Sequence, residues 1–194
     1  MKESIIVRWG ILGSVMLSLT PLQGCAMLQD ASEGRTITAL TEWQFIQDTS
    51  EENSTIMLPG KNAEWVTLEI PHCFRLSGLN EQSAGFYRQL MMPAAGDANK
   101  CYYLFLEGAG SVVDVFVNGT HVGRHKGAYT ACWFDLTPAL KFGKQNEVIV
   151  RVSNRDQEAA NCLSQSNLFY TNGGLYRPVW LVKTRGVHIF PDTG

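Results

Sequence analysis

The chain has 194 residues, 45% of them hydrophobic and 18% charged, and a net charge of -2. That length holds one domain, or one domain with an export segment, and suffices to bury a core. The near-neutral balance excludes nucleic acid as a partner, since phosphate binding needs a large excess of Lys and Arg. The 18 glycines and 10% aromatic residues favour a turn-rich β protein.

At the amino terminus, Lys2 and Arg8 precede an uncharged apolar run, Trp9–Leu19. At about 11 residues the run is too short to cross a bilayer, which takes ~20, and it has the length of the apolar core of a secretory signal. Leu22-Gln23-Gly24-Cys25 follows and resembles the bacterial lipobox, in which cleavage before the cysteine leaves its thiol to be lipidated. The expected organisation is a lipoprotein signal peptide over 1–24, a tether over 25–35 with Cys25 as the lipid attachment, and one domain over 36–194. Such a protein is exported and held by its acyl chains at a periplasmic or cell-surface membrane.

The rest of the chain reads as strands in succession. Lys100–Glu107 is a continuous apolar run, as in a strand covered on both faces. Val112–Asn118 alternates, with Val113, Val115 and Val117 on one face, and ends in Asn118-Gly119, the dipeptide of a type I′ hairpin turn. Thr120–Gly123 starts the return strand. Asp135–Leu140 predicts one short helical turn with Thr137 as cap and Pro138 at the first position. Glu147–Val152 alternates again, placing Val148, Val150 and Val152 opposite Ile149 and Arg151. Residues 155–167 are polar and read as a long loop. Leu175–Val182 is a further strand, in which Pro178 argues for an edge or a bulge, and Gly186–Phe190 is the last. Closely spaced strands without helices need a second sheet to cover the first, so the fold class is all-β, a jelly-roll β-sandwich.

With Cys25 set aside, Cys73, Cys101, Cys132 and Cys162 permit three disulfide pairings, while small buried thiols are the simpler reading. His72, His121, His125 and His188 are scattered without metal-ligand spacing, so no metal and no cofactor are expected. There is no Gly-x-Ser-x-Gly and no phosphate loop.

Six segments together resemble the N-terminal sugar-binding domain of glycoside hydrolase family 2, the group of β-galactosidases, β-glucuronidases and β-mannosidases, whose fold is galactose-binding-domain-like. They are Trp65–His72 ("W..V.LPH"), Gly85–Arg88 ("G.YR"), Leu104–Gly123 ("L.FEGV.S.A.V.VNG..VG"), His125–Thr137 ("HKGGYT...FDIT"), Asn146–Asn154 ("N.LAVRV.N") and Gly173–Leu181 ("GGIYRPVWL"). Most of this signature reads as architecture; Arg88 and Arg177 are expected to be partly buried beside carboxylates such as Asp114 or Asp135.

The resemblance implies a carbohydrate partner, a β-linked glycoside, and a loop lent to the rim of an active site. There the family carries an Asp in a "DF....GG" stretch, where a carboxylate can accept two sugar hydroxyls. Here the stretch is Asn167–Gly174, with Leu168 at the Asp position and Asn167 one residue earlier. Asn167 and Tyr170 are the candidate sugar contacts, and Phe169 could offer a ring face.

No catalytic residue is assigned. Glycoside hydrolysis needs two carboxyl groups about 5–10 Å apart. The family implies that both are glutamates on a TIM barrel of about 250 residues, beyond an immunoglobulin-like domain. Glu107, Asp114 and Asp135 fall on sandwich strands, so this chain alone is expected to be inactive, with the barrel missing from it. Three readings follow: the leading part of a family 2 hydrolase, a free-standing surface carbohydrate-binding module, or an interaction domain for a separately encoded barrel. A free module would need an aromatic platform, whereas periodicity places most of Trp43, Trp65, Trp133 and Trp180 in the core.

Overall fold

The computed structural model describes residues 27–30, 34–51, 54–79, 82–155, 158 and 173–186. They form two antiparallel sheets. The strands are β1 (Met27–Asp30), β2 (Arg35–Ala39), β3 (Glu42–Gln47), β4 (Val66–Glu69), β5 (Ala84–Met91), β6 (Lys100–Leu106), β7 (Val112–Val117), β8 (Thr120–Lys126), β9 (Cys132–Asp135), β10 (Asn146–Ser153) and β11 (Val179–Arg185). One sheet has the order β1-β2-β11-β6-β9, the other β4-β3-β5-β10-β7-β8. Among the described residues there is no α-helix, only three short 3-10 turns.

The alternation seen in the sequence is the reason the sheets face each other. Val113, Val115 and Val117 of β7 and Val148, Val150 and Val152 of β10 all enter the shared core, with Tyr87 from β5 and Leu104 and Leu106 from the opposite sheet. Each fully buried valine or leucine stabilises the fold by about 1.5–3 kcal/mol relative to exposure. The turn after β7 has φ of 51° at Asn118 and 83° at Gly119, as a type I′ turn demands.

A second, smaller core lies on the outer face of the six-stranded sheet. Phe86, Phe116 and Ile149 are buried there beneath Ile56, Leu58 and Trp65 of the long β3–β4 connection. This accounts for the apolar residue at position 149, on the face of β10 turned away from the main core.

Several sequence expectations are corrected. Pro178 precedes β11 instead of lying within it, and β11 is an interior strand paired with both β2 and β6. The proline therefore removes no ladder donor, and its carbonyl accepts from the Glu107 amide at 3.1 Å. The helical turn is a 3-10 turn, Thr137–Ala139. Thr137 does not cap it: the Thr137 hydroxyl accepts from the Tyr102 amide, and the Asp135 carboxylate accepts from the Thr137 amide, each at 2.9 Å.

Arg88 is partly buried but pairs with neither Asp114 nor Asp135. It lies over the Trp65 ring at 4.4 Å, donates to Gln44 at 2.8 Å and approaches Glu147 at 3.5 Å, all neighbours on the outer face of its own sheet. Arg177 is exposed and reaches the Glu107 carbonyl at 3.5 Å, so its expected carboxylate pairing does not form. Asp114 is instead held by Arg124 and His121 across the β7–β8 hairpin.

Of the described tryptophans, Trp43 alone joins the main core. Trp180 and Trp133 share a row with Phe105 across β11, β6 and β9, and Trp133 stacks on Phe105 at 4.2 Å. The outer face of β6 is covered by that stacking, as the continuous apolar run of its sequence suggested. Cys73, Cys101 and Cys132 are free thiols.

Candidate functional site

Five of the sequence motifs meet at one end of the sandwich. Here β5, β7 and β11 begin and β3, β6 and β10 end, and the chain leaves β10 for residues 155–172 and returns at Gly173. The return is pinned by backbone pairing. Gly110 and Gly174 exchange hydrogen bonds at 3.1 and 3.3 Å, the Phe74 amide donates to the Gly173 carbonyl at 2.9 Å, and the His72 amide donates to the Leu175 carbonyl at 2.7 Å. The departure is pinned by Asn154, whose amide donates to the Ser83 carbonyl at 3.0 Å and whose side-chain oxygen accepts from the Ser83 amide at 2.9 Å.

This close fit explains the paired glycines. A Cβ on Gly174, where φ is +108°, would lie 2.8 Å from both the His72 carbonyl and the Tyr87 hydroxyl. A Cβ on Gly173 would strike the Phe74 ring and lie 2.7 Å from the Asn154 amide nitrogen. No side chain fits at either position.

Behind the glycines, Tyr87, His72 and Ser77 form a polar chain. The Tyr87 oxygen accepts from the Leu175 amide at 3.4 Å and lies 2.8 Å from His72 Nδ1, while His72 Nε2 lies 2.8 Å from the Ser77 hydroxyl. Burial lowers the His72 pKa, so the ring is neutral, and burial pushes the Tyr87 hydroxyl well above its ordinary value, so it keeps its proton. With the Leu175 amide aimed at the tyrosine oxygen, the phenol proton points to Nδ1, and Nε2–H then donates to Ser77. Nε2 has no lone pair to take a proton from Ser77. The arrangement holds the corner together and does not activate a nucleophile.

A second clamp holds the first part of the loop. Arg151 projects from the outer face of β10 and is 3% exposed. Its Nε donates to Asp48 at 2.7 Å, and its two terminal nitrogens donate to Glu158 at 2.6 and 2.9 Å. Arg155 donates to the Asp48 carbonyl at 2.5 Å. Burial alone would raise both carboxyls. The hydrogen bonds from Ser50 and Arg151 outweigh it at Asp48, and those from Arg151 outweigh it at Glu158, so both lie below their ordinary values.

The sequence-derived site residues are placed as follows. Asn167, Phe169 and Tyr170 come between Glu158 and Gly173 in sequence and fall outside the described residues, as does Cys25. The clamp Asp48–Arg151–Glu158 was missed from sequence. Its one visible signal is a lone arginine among the valines of β10; its partner Asp48 stands 103 positions away. Among the described residues, no cluster of His, Cys, Asp and Glu could hold a metal ion.

A family model described as "Glycosyl hydrolases family 2, sugar binding domain" matches residues 32–185. The chain belongs to glycosyl hydrolase family 2. A β-glucuronidase of Formosa agariphila is 30% identical over 178 residues, 82% of this chain and 18% of the relative. The β-galactosidase BoGH2A of Bacteroides ovatus is 30% identical over 139 residues, 65% of this chain and 16% of the relative.

Solved structures of family 2 enzymes carry the same fold. A β-glucuronidase of Bacteroides uniformis has a TM-score of 0.63 at 29% identity, covering 77% of this chain and 18% of that one. A putative β-galactosidase of Bacteroides fragilis has a TM-score of 0.62 at 32% identity, covering 78% and 24%. The family 2 domain described here thus spans less than a quarter of the length of any of these four relatives.

Proposed function

We propose that this family 2 sugar-binding domain serves a β-glycosidase of the galactosidase, glucuronidase or mannosidase type, and that the loop 155–172 touches the carbohydrate. The observation that carries this reading is the double anchorage of that loop. The Arg151–Glu158 pair holds its start and the Gly110–Gly174 bridge holds its end. Fixing both ends of the 18-residue segment 155–172 lowers the entropy lost when it binds a ligand. Hydrolysis itself is assigned to partner domains, an immunoglobulin-like one and a TIM barrel bearing two glutamates. Three of the described carboxyls, Asp48, Asp97 and Glu158, have lowered pKa values, whereas a general acid needs a raised one.

The test is titration of the purified full chain with a β-galactoside and a β-glucuronide, followed by calorimetry, together with a chromogenic assay. Binding that weakens about tenfold in Asn167→Ala or Tyr170→Ala, with no turnover, is the expected result. Turnover lost on mutating a carboxylate of this chain would sink the assignment of chemistry to other domains. Unchanged binding in both variants would sink the loop as the contact.

Export as a lipoprotein anchored through Cys25 is part of the same proposal and rests on Leu22–Cys25 and the apolar run before it. A Cys25→Ala variant is expected to leave the membrane fraction of a bacterial host. Retention there would overturn the anchor.

A further inference from the structure

At the end of the sandwich opposite the Ser83–Asn154 corner, residues of β2, β5, β6 and β11 line an open cleft of about 440 Å³. The relation of the two ends follows from β5, which starts at the Ser83–Asn154 corner and finishes at Met91 on the cleft wall, a run of eight residues or about 27 Å. The volume falls in the range of small-molecule sites, about 300–1,000 Å³.

The walls have two characters. Thr36 and Thr38 of β2 are two residues apart on one strand face and line the cleft, each carrying a hydroxyl that can donate and accept. Met91 and Leu181 form an apolar floor, and Met92, 72% exposed, stands at the lip. Lys183 of β11 supplies the charge.

Asp97 holds that lysine in place. It accepts from the Tyr102 hydroxyl at 2.6 Å, from Lys183 at 3.2 Å and from Lys100 at 2.8 Å. Hydrogen bonds from Lys100 and Tyr102 hold its carboxyl far below the ordinary range, so it stays ionised. Its three donors occupy it, and it has little capacity left for a ligand. Lys183 is different: an ammonium has three N–H donors and Asp97 takes one. Lys100, which does not line the cleft, pairs with the same Asp97, so two ammoniums are set against one carboxylate.

We propose that this cleft is a second carbohydrate site, selective for sugars that bear a carboxylate. Lys183 receives the carboxylate, Thr36 and Thr38 receive ring hydroxyls, and the methionine and leucine side chains pack on the C–H face of the ring. The inference rests on the reading of this domain as one that binds carbohydrate, but it concerns the end away from the loop.

The experiment uses the full chain with ¹³C-labelled methionine methyls and ¹⁵N-labelled amides. Sodium D-glucuronate and D-galacturonate are titrated at constant ionic strength beside D-glucose and acetate. Saturable shifts of Met91 and Met92 with a sugar acid are expected, with affinity at least tenfold above that for glucose or acetate. Lys183→Met is expected to lower the sugar-acid affinity at least tenfold. Thr36→Val combined with Thr38→Val, which keeps side-chain shape, serves as a second variant with an expected loss of several-fold.

Equal affinity for acetate would make the cleft an anion site and overturn the proposal, as would full affinity in Lys183→Met. Shifts confined to Gly173 and Gly174 would overturn it while leaving the loop reading intact. Shifts at Met91 and Met92 alone would uphold it and count against the loop. Silence at both ends with every sugar overturns both.

Discussion

Arg151 and Glu158 form a two-point ion pair seven positions apart, with Nη1–Oε2 at 2.6 Å and Nη2–Oε1 at 2.9 Å, across the place where β10 gives way to the loop. Asp48, arriving from the end of β3, completes the set by accepting from Nε of the same guanidinium. Three segments distant in sequence are thereby joined through one side chain.

Removing that side chain should cost more than removing either partner. Arg151→Met strands two buried carboxylates, and breaking a buried pair in this way costs about 3–5 kcal/mol. Glu158→Ala leaves Arg151 with Asp48 still in place, so the expected loss is about 1.5–3 kcal/mol, the range for hydrogen bonds to charged groups. Chemical denaturation of the two variants measures both, and a larger loss in Glu158→Ala would contradict the geometry.

The same clamp predicts acid sensitivity. Asp48 and Glu158 have folded pKa values below their ordinary values of 3.8 and 4.5. The unfolded chain therefore binds more protons than the folded one between the folded and ordinary values, and stability rises with pH across that window. Their contribution is complete above the ordinary values and is lost as pH falls through the folded ones. Denaturation midpoints measured from pH 6 down to about 3 should fall steeply in the native protein. They should fall less steeply in Arg151→Met, where the Ser50 hydrogen bonds to Asp48 remain but Arg151's part in lowering both values is gone.

Two glycine substitutions should diverge in sign. Gly174→Ala places a Cβ against His72 and Tyr87 at a φ of +108° and should destabilise by about 1–3 kcal/mol. Gly60 is exposed, with nothing within 4 Å of a built Cβ. Gly60→Ala should be neutral or stabilising by up to about 1 kcal/mol through the unfolded state. Equal effects would mean that the corner is not closely packed.

Thiol labelling should separate the cysteines. Burial pushes the Cys132 thiol up to about 12, and the residue is 5% exposed, so it should resist alkylation in the native protein at pH 8. Cys73 and Cys101 are partly exposed and should label. Peptide mapping after a short pulse of iodoacetamide reads the difference, and fast labelling of Cys132 would show that the sheets open.

What the sequence determined by itself was local or periodic. Alternating valines at 113, 115 and 117 and at 148, 150 and 152 dictate which face enters the core, because side chains in a strand alternate at period two. Asn118-Gly119 dictates its own turn, because both residues tolerate positive φ. The family followed from ordered motifs, most of which prove to be packing: Pro71-His72, Gly85–Tyr87, Gly173-Gly174 and Asn154 converge on one corner.

Only the tertiary structure decided which charges meet. Arg88 was expected beside Asp114 or Asp135 and found Glu147, Gln44 and the Trp65 ring instead, since strand order and not sequence distance sets its neighbours. Pro178 suggested an edge strand or a bulge, yet it lies outside β11, an interior strand whose pairing begins one residue later. Asp48 and Arg151, and likewise Asp97 and Lys183, come together through the fold, and the cleft is lined by strands of both sheets. Periodicity tells a side chain which face to occupy; the partner it meets there is chosen by the strands laid beside it.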